Sequence, residues 1–255
     1  MKEKIFLLGG YDLEMIEIKD LFEKNNIKYF DQKLSWENAT LDNYTDVLEM
    51  YGNDENYEIY GIELRENGLS IPCNNYIRID HHNELNELPS SLEQVCDILC
   101  IGMSRYMHLV AANDRAYIPG MLQLGATEEE IEEIRRNDRK SQGVTENDEK
   151  LSEEAVRDKE IIDDIVVVKS MTNRFSAITD RLFPFEKLLI YTQNELMYYG
   201  KGKQRLAEMY EDEIINGRIF HGGSEEGYIG TAKSVYSKNS IEKLKEEIIT
   251  EIKNI

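Results

Sequence analysis

Asp80, His81 and His82 are adjacent in the stretch IRIDHHNE, and they use two of the four histidines in the chain. A carboxylate beside two imidazoles supplies hard oxygen and borderline nitrogen donors, a set that holds a divalent cation or moves a proton. Further acids stand where other short apolar runs end: Asp12 and Glu14 after KIFLLGG, Glu63 closing YEIYGIEL, and Asp114 after LVAAN. In parallel α/β sheets, ligands gather at the carboxyl ends of strands, where loops and helix N-termini converge. If each run is a strand, four strand ends deliver carboxylates or imidazoles to one sheet edge. Carboxylates outnumbering imidazoles suit Mn²⁺, or Mg²⁺ with more retained water, better than Zn²⁺. Two such ions about 3.5–4 Å apart can activate a water and neutralise phosphoryl oxygens. The competing reading makes each acid a helix cap or a solvated loop residue, and Asp12 sits where an N-cap would.

Positioning these groups requires alternating strands and helices. Residues 4–10 read as a buried strand ending in a glycine turn. Residues 12–25 then read as a helix with Leu13, Ile16, Leu21 and Phe22 on its apolar side. Residues 27–30, 57–64 and 76–80 are further strands, the last two rich in Ile and Tyr. A helix opens at Ser90 or Ser91 and carries Leu92, Val95, Cys96 and Leu99. The alternation predicts an α/β domain over residues 1–126 with a largely parallel sheet. Thr127 to Glu130 form a capping-box sequence, and two acidic helices separated near Gly143 predict a solvated helical connector over 127–164. Residues 165–255 restart with the strand IVVVK and a helix near 176–182. The hairpin LLIYT/LMYYG, a helix over 207–215, the glycine-rich HGGSEEGYIGTA and a final helix from Ser240 complete a smaller α/β domain.

A length of 255 residues accommodates one large domain or two small ones. The formal charge of −20 argues against a long nucleic-acid duplex, which must be met by clustered Lys and Arg. That charge is uneven: net −12 over residues 1–126, −8 over 127–164 and zero over 165–255. The last third can therefore meet a small phosphorylated ligand. No apolar run has the length of a membrane span and the first residues lack the pattern of a signal peptide, so a cytoplasmic protein is expected. Cys73, Cys96 and Cys100 match no zinc-binding spacing. Cys96 and Cys100, four apart, are expected in a helix's apolar face as reduced thiols.

The order of these motifs resembles the DHH phosphoesterase superfamily, whose members include single-strand exonucleases, oligoribonucleases, cyclic-dinucleotide phosphodiesterases and family II pyrophosphatases. LLGGYDLEM resembles the first motif, a strand ending in Gly-Asp-Tyr-Asp-x-Asp-Gly. Asp80-His81-His82 matches the name-giving motif, and LPSSLEQVCDIL resembles the serine-opened helix that follows it. Asp114 falls at the fourth motif's aspartate, and GGSEEGYIGTA resembles the Gly-Gly-rich loop of the C-terminal substrate-binding domain. The likeness runs through most of the chain. It implies a phosphoesterase using one or two Mn²⁺ or Mg²⁺ ions on a small phosphodiester, such as a short oligonucleotide or cyclic nucleotide.

Carried over by position, the resemblance makes Asp12 and Glu14 the first-motif metal ligands. Glu63 would replace the bridging second-motif aspartate, with Asp46 and Glu58 as nearby competitors. His81 would ligate, His82 would face the scissile phosphate and stabilise its developing charge, Asp80 would orient an imidazole, and Asp114 would complete one ion's shell. In the C-terminal domain, backbone N–H groups around Gly222, Gly223 and Gly227 would cradle phosphate, assisted by Arg174, Lys201 or Lys203. His221, just before those glycines, is placed to touch a ligand.

Three departures matter. Gly10 stands where the family expects an acid, Glu14 and Glu63 are one methylene longer than aspartate, and the C-terminal loop lacks the usual histidine between its glycines. They leave open an altered or one-metal site, a metal reaction on another substrate, and an inactive relative that binds a nucleotide or a protein partner. Homodimerisation is compatible with all three. Among the remaining aromatics, Tyr198 and Tyr199 could stack on a base or serve the sheet, His108 reads as a packed or surface residue, and Trp36, in SWENAT, as structural.

Overall fold

A computed structural model describes residues 2–66, 74–223, 226–253 and 255. Cys73 lies outside the described residues. The chain forms two compact units, 1–143 and 144–255. The boundary falls inside the stretch expected as a connector.

The first unit is built on a four-stranded, fully parallel sheet. Its strands are β1 (Glu3–Leu8), β2 (Lys28–Phe30), β3 (Tyr57–Ile62) and β4 (Tyr76–Ile79), in the order β2-β1-β3-β4. Ile5, Phe6, Leu7 and Leu8 are all buried, because a central parallel strand is covered on both faces. Helix α1 (Leu13–Asn25) lays Phe22 against Phe6, whose ring stacks on Tyr60 with centroids 5.0 Å apart. The opposite face of the sheet, with Ile5, Leu7 and Ile59, is covered by Ala39, Leu41, Tyr44, Val47 and Leu48. These come from short 3₁₀ turns and helix α2 (Thr45–Tyr51). After β1 the chain passes to β2 on one side, and it later enters β3 on the other. The carboxyl ends of β1 and β3 thus form a topological switch point, where loops part and leave a crevice.

Helix α3 (Ser91–Leu99) begins with a complete Ser90/Glu93 capping box and ends at Cys100 in the left-handed conformation. Cys96 is buried in the apolar face as expected. Cys100 is not: as the helix C-cap it is exposed. Helix α4 (Arg105–Gln123) corrects another expectation. The run LVAAN lies inside this helix, so Asp114 is presented by a helical turn rather than a strand end. Leu109, Val110 and Asn113 bury one side while His108 and Arg115 remain on the other, a helical periodicity that a five-residue window does not separate from a strand. The helix breaks at Ala116 and Tyr117 because Pro119 offers no N–H and its ring clashes with the preceding turn. Helix α5 (Glu128–Ser141), opened by the Thr127/Glu130 capping box, packs on α1 and α4.

The second unit opens with helix α6 (Glu146–Arg157). Its mixed six-stranded sheet has the order β5-β6-β7-β8-β10-β9. The strands are β5 (Glu160–Ile162), β6 (Ile165–Lys169), β7 (Lys187–Tyr191), β8 (Leu196–Gly200), β9 (Ile219–Gly222) and β10 (Tyr228–Thr231). Helix α7 (Ser176–Leu182) follows β6, and β7 and β8 form the expected hairpin. The helix expected over 207–215 is two shorter ones, α8 (Lys203–Met209) and α9 (Glu211–Ile215), broken at Tyr210. Helix α10 (Lys238–Ile252) buries Ile241, Leu244, Ile248 and Ile252. No helix among the described residues is long and apolar enough to cross a membrane.

Candidate metal centre

The switch point of the parallel sheet gathers Asp12, Glu14, Glu63, Asp80, His81, His82 and Asp114. Asp12 follows β1 and caps α1, its Oδ1 accepting the Met15 N–H at 2.9 Å. The cap reading of Asp12 is therefore correct, and the same residue also lines the crevice. Gly9 is required at this crossing: a Cβ there would stand 2.4 Å from the Ile62 carbonyl oxygen and 2.6 Å from that of Glu63. Only glycine lets the ends of β1 and β3 approach so closely. Glu63 leaves β3 with φ of 51°, a left-handed conformation that costs a residue bearing Cβ about 1–2 kcal/mol. Such a conformation persists only where its surroundings hold it. Of the competitors for Glu63's role, Glu58 pairs with Lys4 and the Tyr60 hydroxyl, and Asp46 is exposed on α2.

The start of α3 orients two of the acids. Glu63 Oε1 accepts from Ser91 Oγ at 2.7 Å, and Glu14 Oε1 accepts from the Leu92 N–H at 3.1 Å. His81 lies between them. Its Nε2 is 2.7 Å from Asp114 Oδ2, 3.4 Å from Glu63 Oε1 and 3.6 Å from Glu14 Oε2. Yet neither His81 Nε2 nor Asp114 Oδ2 makes an aligned hydrogen bond, and both atoms are buried. Asp80 stands behind the second histidine: its Oδ1 accepts the His82 N–H at 2.9 Å and lies 3.1 Å from His82 Nδ1. Arg78 anchors Asp80 Oδ2 at 2.5 Å. The imidazole oriented by Asp80 is thus that of His82, whose ring centroid is 4.3 Å from that of His81.

The electrostatics follow from crowding carboxylates into a dry site. Burial raises the Asp12 carboxyl well above its usual range, with the neighbouring charges of Glu63 and Asp114 adding to the effect. Burial likewise raises Glu14 and Asp114, against the opposing pull of His81. For His81, burial disfavours the charged ring, but Asp114, Glu14 and Glu63 outweigh it and push the pKa up to about 12. Asp80 is the exception. Burial opposes ionisation, yet hydrogen bonds from His82 and Arg78 hold it well below the usual carboxylate range.

Glu63, His81, His82 and Asp114 each offer one ligand atom, all within 4.8 Å of one another. Oxygen and imidazole donors in one buried group, with two polar atoms lacking aligned partners, fit a divalent cation. Asp12 and Glu14 adjoin this group without belonging to it. Beside it opens a cleft of about 430 Å³, whose lining includes Asp12, Glu63, Asp80, His82, Arg65, Arg78 and Trp36. Arg65, Arg78 and Trp36 carried no functional sign in the sequence, since neither arginine lies in a recognisable motif and Trp36 is brought in from a distant turn.

The expected C-terminal residues are distributed over the second unit. Gly222, Gly223 and Gly227 are parts of the β9–β10 hairpin. Gly223 has φ of 72°, and a Cβ on Gly227 would stand 2.1 Å from the Gly222 carbonyl oxygen. His221 is exposed on β9, paired with Ile229. Lys201 is brought near these glycines by the bond from the Gly200 N–H to the Gly227 carbonyl, and it pairs with Glu186. Arg174 is exposed before α7, while Lys203 is buried at the start of α8. Tyr198 is a core residue, its hydroxyl donating to the Lys201 carbonyl.

No family model and no curated protein matches the sequence. Solved structures do. A pGpG-specific phosphodiesterase, PggH from Vibrio cholerae, superposes with a TM-score of 0.52 at 12% identity, over 98% of this chain and 99% of that one. The DHH domain of a protein described as a member of a ribosomal-protein family superposes with a TM-score of 0.50 at 12% identity, over 97% of this chain and 87% of that one. The chain shares the fold of these two structures, one of them a DHH domain, at an identity too low to carry family or activity with it.

Proposed function

We propose that the protein is a metal-dependent phosphodiesterase that hydrolyses a small phosphodiester, a short oligonucleotide or cyclic nucleotide. The observation that carries this reading is the His81–Asp114 pair, two buried polar atoms 2.7 Å apart without an aligned hydrogen bond and ringed by further acids. The fold shared with a pGpG-specific phosphodiesterase supports the reaction class and makes a linear dinucleotide the natural first substrate.

Glu63, His81 and Asp114 would hold the cation, with His82 as a fourth donor or as the group facing phosphate, and Asp12 and Glu14 as flanking acids. When bound, a divalent ion such as Mn²⁺ or Mg²⁺ would supply Lewis acidity toward a phosphoryl oxygen and acidify water. The chain's own residues do the rest. Asp80 fixes the ring of His82 through Nδ1, leaving Nε2 for the cleft. Arg65 and Arg78 line the same cleft, Arg78 paired with Asp80 and Glu84, so that Arg65 is the positive charge there best placed for a phosphodiester. Within the second unit, Gly222, Gly223, Gly227, His221, Arg174 and Lys201 are proposed to meet phosphate, while Lys203, also expected there, is buried.

The test is Mn²⁺-stimulated hydrolysis of a linear dinucleotide by purified protein. His81→Ala should lower the rate by about 10³-fold or more while the variant keeps its fold by circular dichroism. Equal rates in variant and wild type would overturn the assignment. A second reading, binding without turnover, is favoured by the indole of Trp36 occupying the space beside Gly10, where the family's acid is expected. It predicts dinucleotide binding with no metal retained after Mn²⁺ loading, read by elemental analysis.

A further inference from the structure

We infer that Trp36 is the stacking platform for a nucleobase next to the scissile phosphate, and that Arg65 meets that nucleotide's phosphate. This deepens the phosphodiesterase reading and rests on it for the phosphate being one that is cleaved.

Trp36 is the single tryptophan of the chain, and 42% of its surface is exposed. A large apolar ring left open to water at the mouth of a charged cleft invites a flat, apolar ligand face. Its position is fixed by contacts on several sides. Gly10 lies so close beneath the ring that a Cβ there would stand 2.2 Å from the indole Cε3. The turn that carries it is tied by the Asn38 side chain, which donates to Ser35 Oγ at 2.9 Å, and by Arg65, which donates to the Glu37 carbonyl. Glycine at position 10 is thus explained: it gives the indole its seat. The indole centroid is 6.4 Å from that of His82, so a base stacked on Trp36 is about one nucleotide unit from the metal-ligand group.

Arg65 supplies the charge. It is exposed, lines the same cleft and has no carboxylate partner among the described residues. Arg78, by contrast, is engaged by Asp80 and Glu84. A guanidinium without an acid partner, beside an aromatic face in an otherwise acidic cleft, matches a nucleotide's phosphate and base together.

Because Trp36 is the chain's one tryptophan, its fluorescence reports the contact directly. The full chain is titrated with a linear dinucleotide and, separately, with ribose 5-phosphate, and affinity is measured in parallel by calorimetry. The dinucleotide should quench the emission along its binding curve, and the base-free ligand should bind more weakly without quenching. Trp36→Leu keeps apolar bulk over Gly10 but has no aromatic face, and it should weaken dinucleotide binding on the order of 10- to 100-fold while ribose 5-phosphate is unaffected. Trp36→Phe should recover most of the loss. Calorimetric binding without quenching, or unchanged dinucleotide affinity in Trp36→Leu, overturns the inference. So does a wild-type protein that binds no dinucleotide. Product analysis separates the two readings. Quenching without hydrolysis in Mn²⁺ leaves the platform standing and removes the phosphodiesterase. Hydrolysis with an unchanged KM in Trp36→Leu does the reverse.

Discussion

Each unit buries a basic side chain against acid, and the two cases differ in charge balance. Lys187, 2% exposed in the second unit, meets Asp164 at 2.7 Å and the Ile252 carbonyl at 3.1 Å. One buried cation, one surface carboxylate and one carbonyl make a neutral set that ties β7 to the C-terminal helix. His81 in the first unit is ringed by Asp114, Glu63 and Glu14. One imidazole there faces three carboxyl groups, and two of the buried atoms lack aligned hydrogen bonds. A buried cation matched by one carboxylate serves as structure, whereas a buried excess of carboxyl groups over basic ones could hold a cation. The glycines divide along similar lines. Gly222 and Gly227 are small because a hairpin packs on itself, while Gly9 is small because two strand ends must meet at the acidic cluster.

This contrast can be broken or sharpened by mutation. The largest effect after loss of His81 should come from Gly9→Ala, which forces β1 and β3 apart at Glu63. A displacement of about an ångström there should cost roughly 100-fold in kcat, measured alongside thermal stability. An unchanged kcat would show that the closeness of the strand ends does not serve the site. Asp80→Asn comes next. It keeps the shape of the side chain but weakens its hold on His82, with an expected loss on the order of 10- to 100-fold in kcat and little change in dinucleotide affinity. A loss confined to affinity would point instead to Arg78, freed from Asp80, as the disturbed group. Lys187→Met should be the mildest for catalysis. It should lower the unfolding free energy by about 1–3 kcal/mol in urea titrations and leave kcat and metal content untouched. A fall in metal content would mean that the two buried clusters are not independent.

How much is legible before folding varies with the range of the interaction. Asp12 as an N-cap, the capping boxes at Ser90 and Thr127 and the β7–β8 hairpin depend on residues within a few positions, and they are where their spacing puts them. The break at Tyr117 is as local, since Pro119 dictates it, yet a strand reading of LVAAN hides it. Periodicity misplaces Cys100, because it does not say where a helix stops; the left-handed cap does.

The sequence by itself determined that Asp80, His81 and His82 stand together just after a strand and that strands alternate with helices over the first half. Covalent adjacency and hydrophobic period need no tertiary information. Only the tertiary structure decided that Glu63, rather than Glu58 or Asp46, reaches His81, that Asp80 holds His82, and that Trp36 lies over Gly10. Those choices depend on strand register, on one left-handed residue and on a turn brought in from 26 positions away. The contacts that make a site from separate segments come from the packing of the sheet, and no local window of residues contains them.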